Sequence, residues 1–320
     1  MDLALPKVAE EFAAAAQRAV VGIGGVEAAR RAELDPSTRT TQVKAVLDML
    51  GVPDINPRAD VEAAVVAGEM CRVAGRYVLP FPVVGYLMAG PDDGVPCVLA
   101  STPPLRCDHG DLFPQWRVHD LLGEVSLATP SGRRIGSRLA PFTTDLTRAG
   151  PTRPSGASDL TYLAALWAFY LLGVAEQAVE LAIAHVKERV QFGRPLAAMQ
   201  AVQFQLADAT VAVDGLRELA RFTIWRVASD PDHALADGLA TRLHAVEVAQ
   251  PVLRLAQQLH GASGLCDEYD ISVLVRHAQP ALRLPIDSDG MSEIVFRAVQ
   301  AQGFESLFSQ TAARVPDGNG

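Results

Sequence analysis

Residues 188–208, ERVQFGRPLAAMQAVQFQLAD, lie where one predicted helix ends and the next begins. Arg189 falls in the last turn of the first helix, Gly193–Pro195 interrupts the helical backbone, and Gln200 opens the second helix. A guanidinium that keeps its charge, beside amide side chains, suits a phosphate ester and its ribose. A solvated arginine favoured by the dipole at a helix C-terminus explains the same pattern, and periodicity alone favours this second interpretation.

Helical spacing of apolar residues continues on both sides of this stretch. Towards the C-terminus it predicts long helices near residues 159–190, 197–229, 233–260 and 290–314. Towards the N-terminus, residues 3 to about 88 also have a helical pattern, in which Asp60 is the expected N-cap of a helix that stops near Gly75.

Residues 90–156 have a different composition and pattern, with frequent Pro and Gly and short apolar runs. Turn signals such as Pro130-Ser131-Gly132 bracket these runs, which is typical of a small β-domain. The sequence therefore predicts a mainly α protein with a small β-domain. We expect an N-terminal helical domain at 1–89, a middle β-domain at 90–157 and a C-terminal helical bundle at 158–320.

Charge and composition exclude several classes of protein. The 320 residues contain 28 Lys and Arg against 37 Asp and Glu, which gives a formal charge of −9. An acidic chain lacks the basic stripe of a nucleic-acid binder and the polybasic segment of a membrane anchor, so we expect neither partner. The four cysteines form no close pair and the seven histidines show no ligand spacing, so no metal site is expected.

The N-terminal sequence, the apolar segments and the cysteines indicate where in the cell the protein is located. The N-terminus carries early acidic residues and no long uncharged apolar core, so we expect no signal peptide. The most apolar stretch, Leu160–Ile183, is interrupted by Glu176 and Glu180, which favours a buried helix over a membrane span. Scattered thiols without a disulfide framework are typical of a reduced, cytoplasmic protein.

The amino-acid sequence of residues 188–208 is also characteristic of one protein family. It resembles the acyl-CoA dehydrogenase family pattern, in which a helix end reads E-R-x-Q-F-G-x-P-L and continues through Q-x-V-Q-F to L-A-D. Gln258–Gly264 resembles the family's Q-x-x-G-G-x-G, and Gly290–Ile294 resembles its G-T-S-E-I. The helical, β, helical order is similar to that of the family, which implies an acyl-CoA dehydrogenase-like fold ending in a four-helix bundle.

The resemblance implies FAD as cofactor. In the family, FAD lies between two subunits, and its adenosine diphosphate (ADP) end reaches the neighbour's C-terminal bundle. The matching positions here are Arg189, Gln191, Phe192, Gln200, Gln258, Gly261 and Ala262. Ala262 replaces the second glycine of the family's Gly-Gly pair, where glycine permits close backbone approach to a ligand.

The middle region departs from the family. Members with a complete flavin site carry a T-E-P-x-x-G-S-D segment and a W-I-T-N strand there, and residues 90–156 contain neither. The chain thus resembles the shorter subunit of heteromeric α2β2 acyl-CoA dehydrogenases of bacterial sterol catabolism. This implies a homologous full-length partner subunit and an electron-transfer flavoprotein as electron acceptor. It also implies an acyl-CoA substrate, with a steroid-derived acyl group as one candidate.

The family reaction removes the α-proton of an acyl-CoA thioester and therefore needs a carboxylate base. The family position just before G-T-S-E is Asp289 here, and a second arrangement, A-x-E-x-A on a bundle helix, is matched by Glu247. Both carboxylates remain candidates, but the missing flavin-site motifs favour a working base on the partner subunit. Two alternatives stay open: a self-sufficient homo-oligomer that uses Glu247 or Asp289, and a non-catalytic scaffold subunit. His185 and His260 are expected to cap or line the bundle.

Overall fold

The computed structural model describes residues 5–89, 95–100, 104–121, 123–134, 136–155 and 157–302. Its helices are α1 (Lys7–Gly22), α2 (Glu27–Leu34), α3 (Ala45–Met49), α4 (Val61–Arg76), α5 (Val83–Leu87), α6 (Ala157–Glu188), α7 (Gln200–Ser229), α8 (Leu235–His260), α9 (Asp270–Arg283) and α10 (Ser288–Gln302). Its strands are β1 (Cys97–Ala100), β2 (Leu105–Cys107), β3 (Trp116–Asp120), β4 (Glu124–Arg134), β5 (Thr144–Arg148), β6 (Arg153–Pro154), β7 (Val190–Gln191) and β8 (Arg194–Pro195). The order is helical, β, helical, as the sequence predicts, whereas the exact domain boundaries stay a prediction.

The start of α4 confirms the predicted cap. The Asp60 carboxylate accepts a hydrogen bond from the backbone N–H of Ala63 at 2.7 Å, which satisfies one of the free donors of the first turn. The helix ends at Arg76, one residue beyond Gly75, in agreement with the expected end.

Gly75 also allows α4 to cross α6 at close range. A Cβ at Gly75 would overlap the backbone carbonyl of Tyr170, and a Cβ at Gly173 would overlap that of Arg72. The two glycines therefore bring the backbones of α4 and α6 into direct contact, and α6 becomes the central helix of the core.

The middle strands form a twisted sheet in the order β1-β3-β4-β5-β2, with β6 paired to β4. β1 and β3 are parallel, and the other pairs are antiparallel. Trp116 is 1% exposed in the small core of this sheet, and its indole donates to the carbonyl of Gly110 at 2.9 Å. Pro130–Gly132, predicted as a turn, lies within β4, where the pairing register shifts between Pro130 and Arg134.

The C-terminal helices agree with the predicted segments to within a few residues at the described ends. For the helix predicted at 290–314, residues 288–302 are helical and residues 303–314 lie outside the described part of the chain. The segment Ser158–Glu188 is long and apolar enough to cross a membrane, but 72% of its most apolar window is buried inside the protein. It is a core helix, as its Glu176 and Glu180 suggest.

Helix α9 was missing from the prediction because its buried face is partly polar. Arg276 and His277 are 7% and 6% exposed, and both bind Glu33 of α2. The Glu33 carboxylate accepts from Arg276 Nη2 at 2.9 Å and lies 2.6 Å from His277 Nε2. These two residues share the buried face of α9 with apolar ones such as Ile271 and Leu274, and they interrupt its apolar period.

Candidate cofactor site

A short hairpin joins α6 to α7 and carries the first group of predicted cofactor residues. Val190 pairs with Pro195, and Gln191 pairs with Arg194. The two residues between the strands, Phe192 and Gly193, have φ values of 54° and 76°. Positive φ at both central positions is the geometry of a tight two-residue hairpin turn, and a bulky residue rarely occupies it. The Gly-Arg-Pro interruption expected from the sequence is thus one strand of an ordered arm.

The arm presents both charge and apolar surface to solvent. Arg189, Gln191 and Gln200 are exposed, and Phe192 is 88% exposed. Phe204, on the first turns of α7, is 60% exposed. Aromatic residues and arginine are enriched at surfaces that another molecule covers. An amide hydrogen bond from Gln203 to the carbonyl of Ala197 at 2.9 Å fixes the start of α7.

The second group of predicted residues lies at the end of α8. His260 is the last helical residue, and Gly261 reverses the chain with φ 61° and ψ −137°. Gln258, Gly261 and Ala262 are all exposed. Ala262 lies in the 3-10 turn Gly261–Leu265 and does not have the positive φ that would favour glycine, so its methyl group is tolerated by the local backbone.

A histidine pair connects the two groups. His185, one turn before Arg189, stacks on His260 with ring centroids 4.1 Å apart, and Tyr269 meets both rings edge-on. His260 Nδ1 lies 2.7 Å from the carbonyl of Ala256, so this nitrogen carries the ring proton. Burial lowers the pKa of His185, helped by His260 and by the Arg189 charge, which favours a neutral ring. The structure therefore brings residues from two distant segments to one end of the bundle, and the two histidines line it there.

The two candidate bases lie elsewhere. Glu247 is exposed on α8 with its carboxylate 3.8 Å from His244 Nδ1, and Asp289 is exposed in the first turn of α10. The neighbouring Asp287 caps α10, where it accepts from the backbone N–H of Gly290 at 2.9 Å. Neither Glu247 nor Asp289 lines the cavity between the sheet and the bundle in the described part of the chain.

That cavity contains polar groups that sequence reasoning missed. It has a volume of about 40 Å³, and Trp116, Trp167 and Tyr170 line it together with Asp108 and His109. Burial raises the pKa of Asp108 to about 7, although 21% of its side chain is accessible. Burial also lowers the pKa of His109 well below its usual value. The adjacent pair Asp108-His109 before Gly110 was the available signal, but no spacing rule marks such a pair.

His109 is held under strain beside a buried ion pair. Its φ is 57°, its ring stacks on Phe142 at 5.0 Å, and its Nδ1 has no hydrogen-bond partner among the described residues. Arg39 lies 4.5 Å from the centroid of the same Phe142 ring and donates to both carboxylate oxygens of Asp111, at 2.9 and 2.7 Å. The Arg39 charge helps to keep His109 neutral.

The two regions differ in what they can hold. The bundle end offers an exposed guanidinium, amide side chains and a glycine turn, and these groups fit a nucleotide diphosphate. The 40 Å³ cavity is far below the roughly 300–1,000 Å³ of small-molecule sites, so it does not fit a tricyclic flavin ring.

Comparison with known proteins agrees with this architecture. Residues 157–303 match the acyl-CoA dehydrogenase C-terminal domain. A probable acyl-CoA dehydrogenase YngJ of Bacillus subtilis is 35% identical over 126 residues, which are 38% of this chain and 31% of that protein. The 3-sulfinopropanoyl-CoA desulfinase of Paraburkholderia xenovorans is 28% identical over 206 residues, 62% of this chain and 46% of that protein. The chain thus spans less than half the length of these curated relatives.

Solved structures extend the likeness to the whole fold. The ChsE4-ChsE5 complex of Mycobacterium tuberculosis has a TM-score of 0.75 at 16% identity, covering 94% of this chain and 99% of that one. A variant of the Tcur3481-Tcur3483 steroid ACAD has a TM-score of 0.76 at 19% identity, covering 92% and 98%. Residues 157–303 are therefore an acyl-CoA dehydrogenase C-terminal domain, and the chain as a whole shares the fold of these solved structures.

Proposed function

We propose that this chain is the smaller subunit of a heteromeric, FAD-dependent acyl-CoA dehydrogenase. In this arrangement, it contributes the ADP-end contacts to an FAD whose flavin ring is held by a homologous full-length partner. The observation that carries the proposal is a contrast within one chain. The proposed nucleotide-contact residues are exposed, while the cavity between the sheet and the bundle has a volume of about 40 Å³.

Arg189 is the central residue of this contact. It is exposed on the hairpin arm, and its side chain has no ion pair among the described residues, so its charge is available to a ligand. A guanidinium binds a phosphate through paired, charge-assisted hydrogen bonds, which also fix orientation. Gln191 and Gln200 supply amide groups beside it, and the exposed Phe192 supplies apolar contact area to the partner subunit.

The second segment completes the site in the proposal. Gly261 turns the backbone at the end of α8, and the exposed Gln258 and Ala262 lie on either side of that turn. The His185–His260 stack holds this turn against the end of α6. When bound, FAD supplies hydride acceptance in the α,β-desaturation of an acyl-CoA thioester. This chain's residues bind and orient the nucleotide end of the cofactor.

The proposed heteromer also places the catalytic base on the partner subunit. Glu247 and Asp289 are exposed and do not line the described cavity, which supports a working base on the partner subunit. Similarity to the ChsE4-ChsE5 complex and to a steroid ACAD supports a heteromeric assembly and a steroid-derived acyl-CoA as substrate. The proposal further includes an α2β2 stoichiometry, an electron-transfer flavoprotein as electron acceptor and a cytoplasmic location.

The test uses the complex co-expressed with a candidate full-length subunit. Arg189→Ala should weaken FAD binding at least about tenfold, because about 1.4 kcal/mol of charge-assisted bonding is lost. Arg194→Ala removes an equally exposed guanidinium from the other strand of the same hairpin and should leave FAD content unchanged. The readout is flavin absorbance per complex after gel filtration.

Two outcomes point to the alternatives. Unchanged FAD content in Arg189→Ala would favour the scaffold subunit. Stoichiometric FAD and acyl-CoA oxidation by the isolated chain would favour the homo-oligomer, and Glu247→Gln and Asp289→Asn would then identify its base.

A further inference from the structure

Arg242 of α8 is a buried cation whose charge has no described counter-ion. The residue is 2% exposed, and burial alone shifts its pKa, to about 10, so the guanidinium stays protonated at neutral pH. Its Nη2 donates to the carbonyls of Ala281 and Leu284 at 2.9 and 2.6 Å, at the C-terminal end of α9. These carbonyls carry partial negative charge, but a buried arginine normally also has a carboxylate partner.

Two of its donor groups are unused. Nε and Nη1 are both buried, and neither has a hydrogen-bond partner among the residues that the structure describes. Trp167 of α6 lies on one side of the guanidinium, with its ring centroid 5.5 Å from the guanidinium carbon. Buried donors without partners are rare in folded proteins, and a buried charge with free donors indicates a missing anion.

A small cavity lies next to the guanidinium. Its volume is about 10 Å³, which is close to the space that a single water molecule needs. Arg242, Val246 and Met291 line it together with Asp287 and Ser288, at the start of α10. Asp287 is not a ready counter-ion, because its carboxylate caps α10 through the Gly290 N–H at 2.9 Å.

We propose that Arg242 and this cavity form a binding site for a small monovalent anion of the size of chloride or formate. Nε and Nη1 would donate charge-assisted hydrogen bonds to the anion. The size of the cavity excludes larger anions such as sulfate and gluconate. The bound anion would join α8 to the turn between α9 and α10, independently of the proposed partner and of FAD.

The experiment measures the thermal midpoint of the full chain, free or in its complex, at constant ionic strength. Chloride or formate replaces gluconate stepwise. The wild type should show a saturating rise with chloride and with formate, because a ligand that binds only the folded state stabilises it. Arg242→Met should raise the half-saturating concentration at least tenfold. Arg254→Met removes an exposed charge from the same helix and should behave as wild type.

Further measurements keep the proposal open to refutation if Arg242→Met does not fold. Line broadening of the chloride-35 NMR signal by the wild-type protein should be reversed by formate and unaffected by gluconate. Asp287→Asn should retain the wild-type anion response. The proposal is wrong if the wild type shows no saturable response, if Arg242→Met responds as wild type does, or if an anion response is present only in Asp287→Asn.

Discussion

His185 of α6 stacks on His260 of α8 with ring centroids 4.1 Å apart and ring planes 24° apart. The two residues are 75 positions apart in the chain. His185 lies four residues before Arg189, and His260 lies between Gln258 and Gly261. Because α6 and α8 both end at this side of the bundle, the stack sets the spacing between Arg189 and the Gly261 turn. The stack is thus the physical link between the family's two sequence motifs.

Loss of this stack should therefore affect both stability and cofactor binding. His185→Ala should lower the free energy of unfolding by about 1 kcal/mol, the value of an aromatic pair, and should reduce FAD retention in the complex. His185→Phe keeps a ring at the same position and should retain most of both. Urea unfolding and flavin absorbance measure the two effects, and wild-type values in His185→Ala would rule out the coupling.

The α4–α6 crossing predicts opposite effects for two glycine substitutions. Gly173→Ala should lower stability by about 3 kcal/mol or more, because its Cβ overlaps the carbonyl of Arg72 and the backbones must separate. Gly215→Ala is the matched control on α7, where a Cβ meets nothing within 4 Å. It should raise stability by about 0.5–1 kcal/mol through helix propensity. Chemical denaturation of both variants measures the difference, and equal effects would contradict this packing.

Asp108 predicts a pH dependence of stability. Its folded pKa is about 7, above the ordinary value of 3.8, so the folded state holds the proton more tightly than the unfolded state. Stability is therefore highest below pH 4 for this group and falls as the pH rises towards 7, by about 1–2 kcal/mol after allowance for its partial accessibility. His109, Arg39 and Asp111 surround the group and also affect its charge.

Asp108→Asn isolates this contribution, because it keeps the shape and the other charges while it removes the titration. The variant should be closest to wild type near pH 4 and more stable than wild type at pH 8. Urea midpoints at several pH values provide the measurement. A stability difference that stays constant from pH 4 to pH 8 would show that Asp108 keeps an ordinary pKa.

The parts of the fold that were predictable are those fixed by local sequence. The Asp60 cap and the long bundle helices follow from spacing within one turn or one face. The candidate nucleotide-contact residues follow from motif resemblance, and the structure places their two segments at one end of the bundle. Their role in binding stays a prediction.

The parts that were not predictable depend on distant partners. The charged face of α9 makes sense only with Glu33, which is more than 240 positions earlier in the chain. Asp108 becomes unusual only when Tyr170 and Trp167 close the cavity around it, and Arg242 only when α9 covers it. Residue patterns in a single sequence do not show which distant segments will bury a side chain. That burial shifts the pKa of the side chain and decides whether its polar atoms find hydrogen-bond partners.

The most direct test of the central claim is the FAD content of the purified complex with a full-length partner, determined from flavin absorbance and native mass. We predict one FAD per heterodimer and no FAD on the isolated chain. Two FAD per heterodimer, or stoichiometric FAD on the isolated chain, would contradict the account.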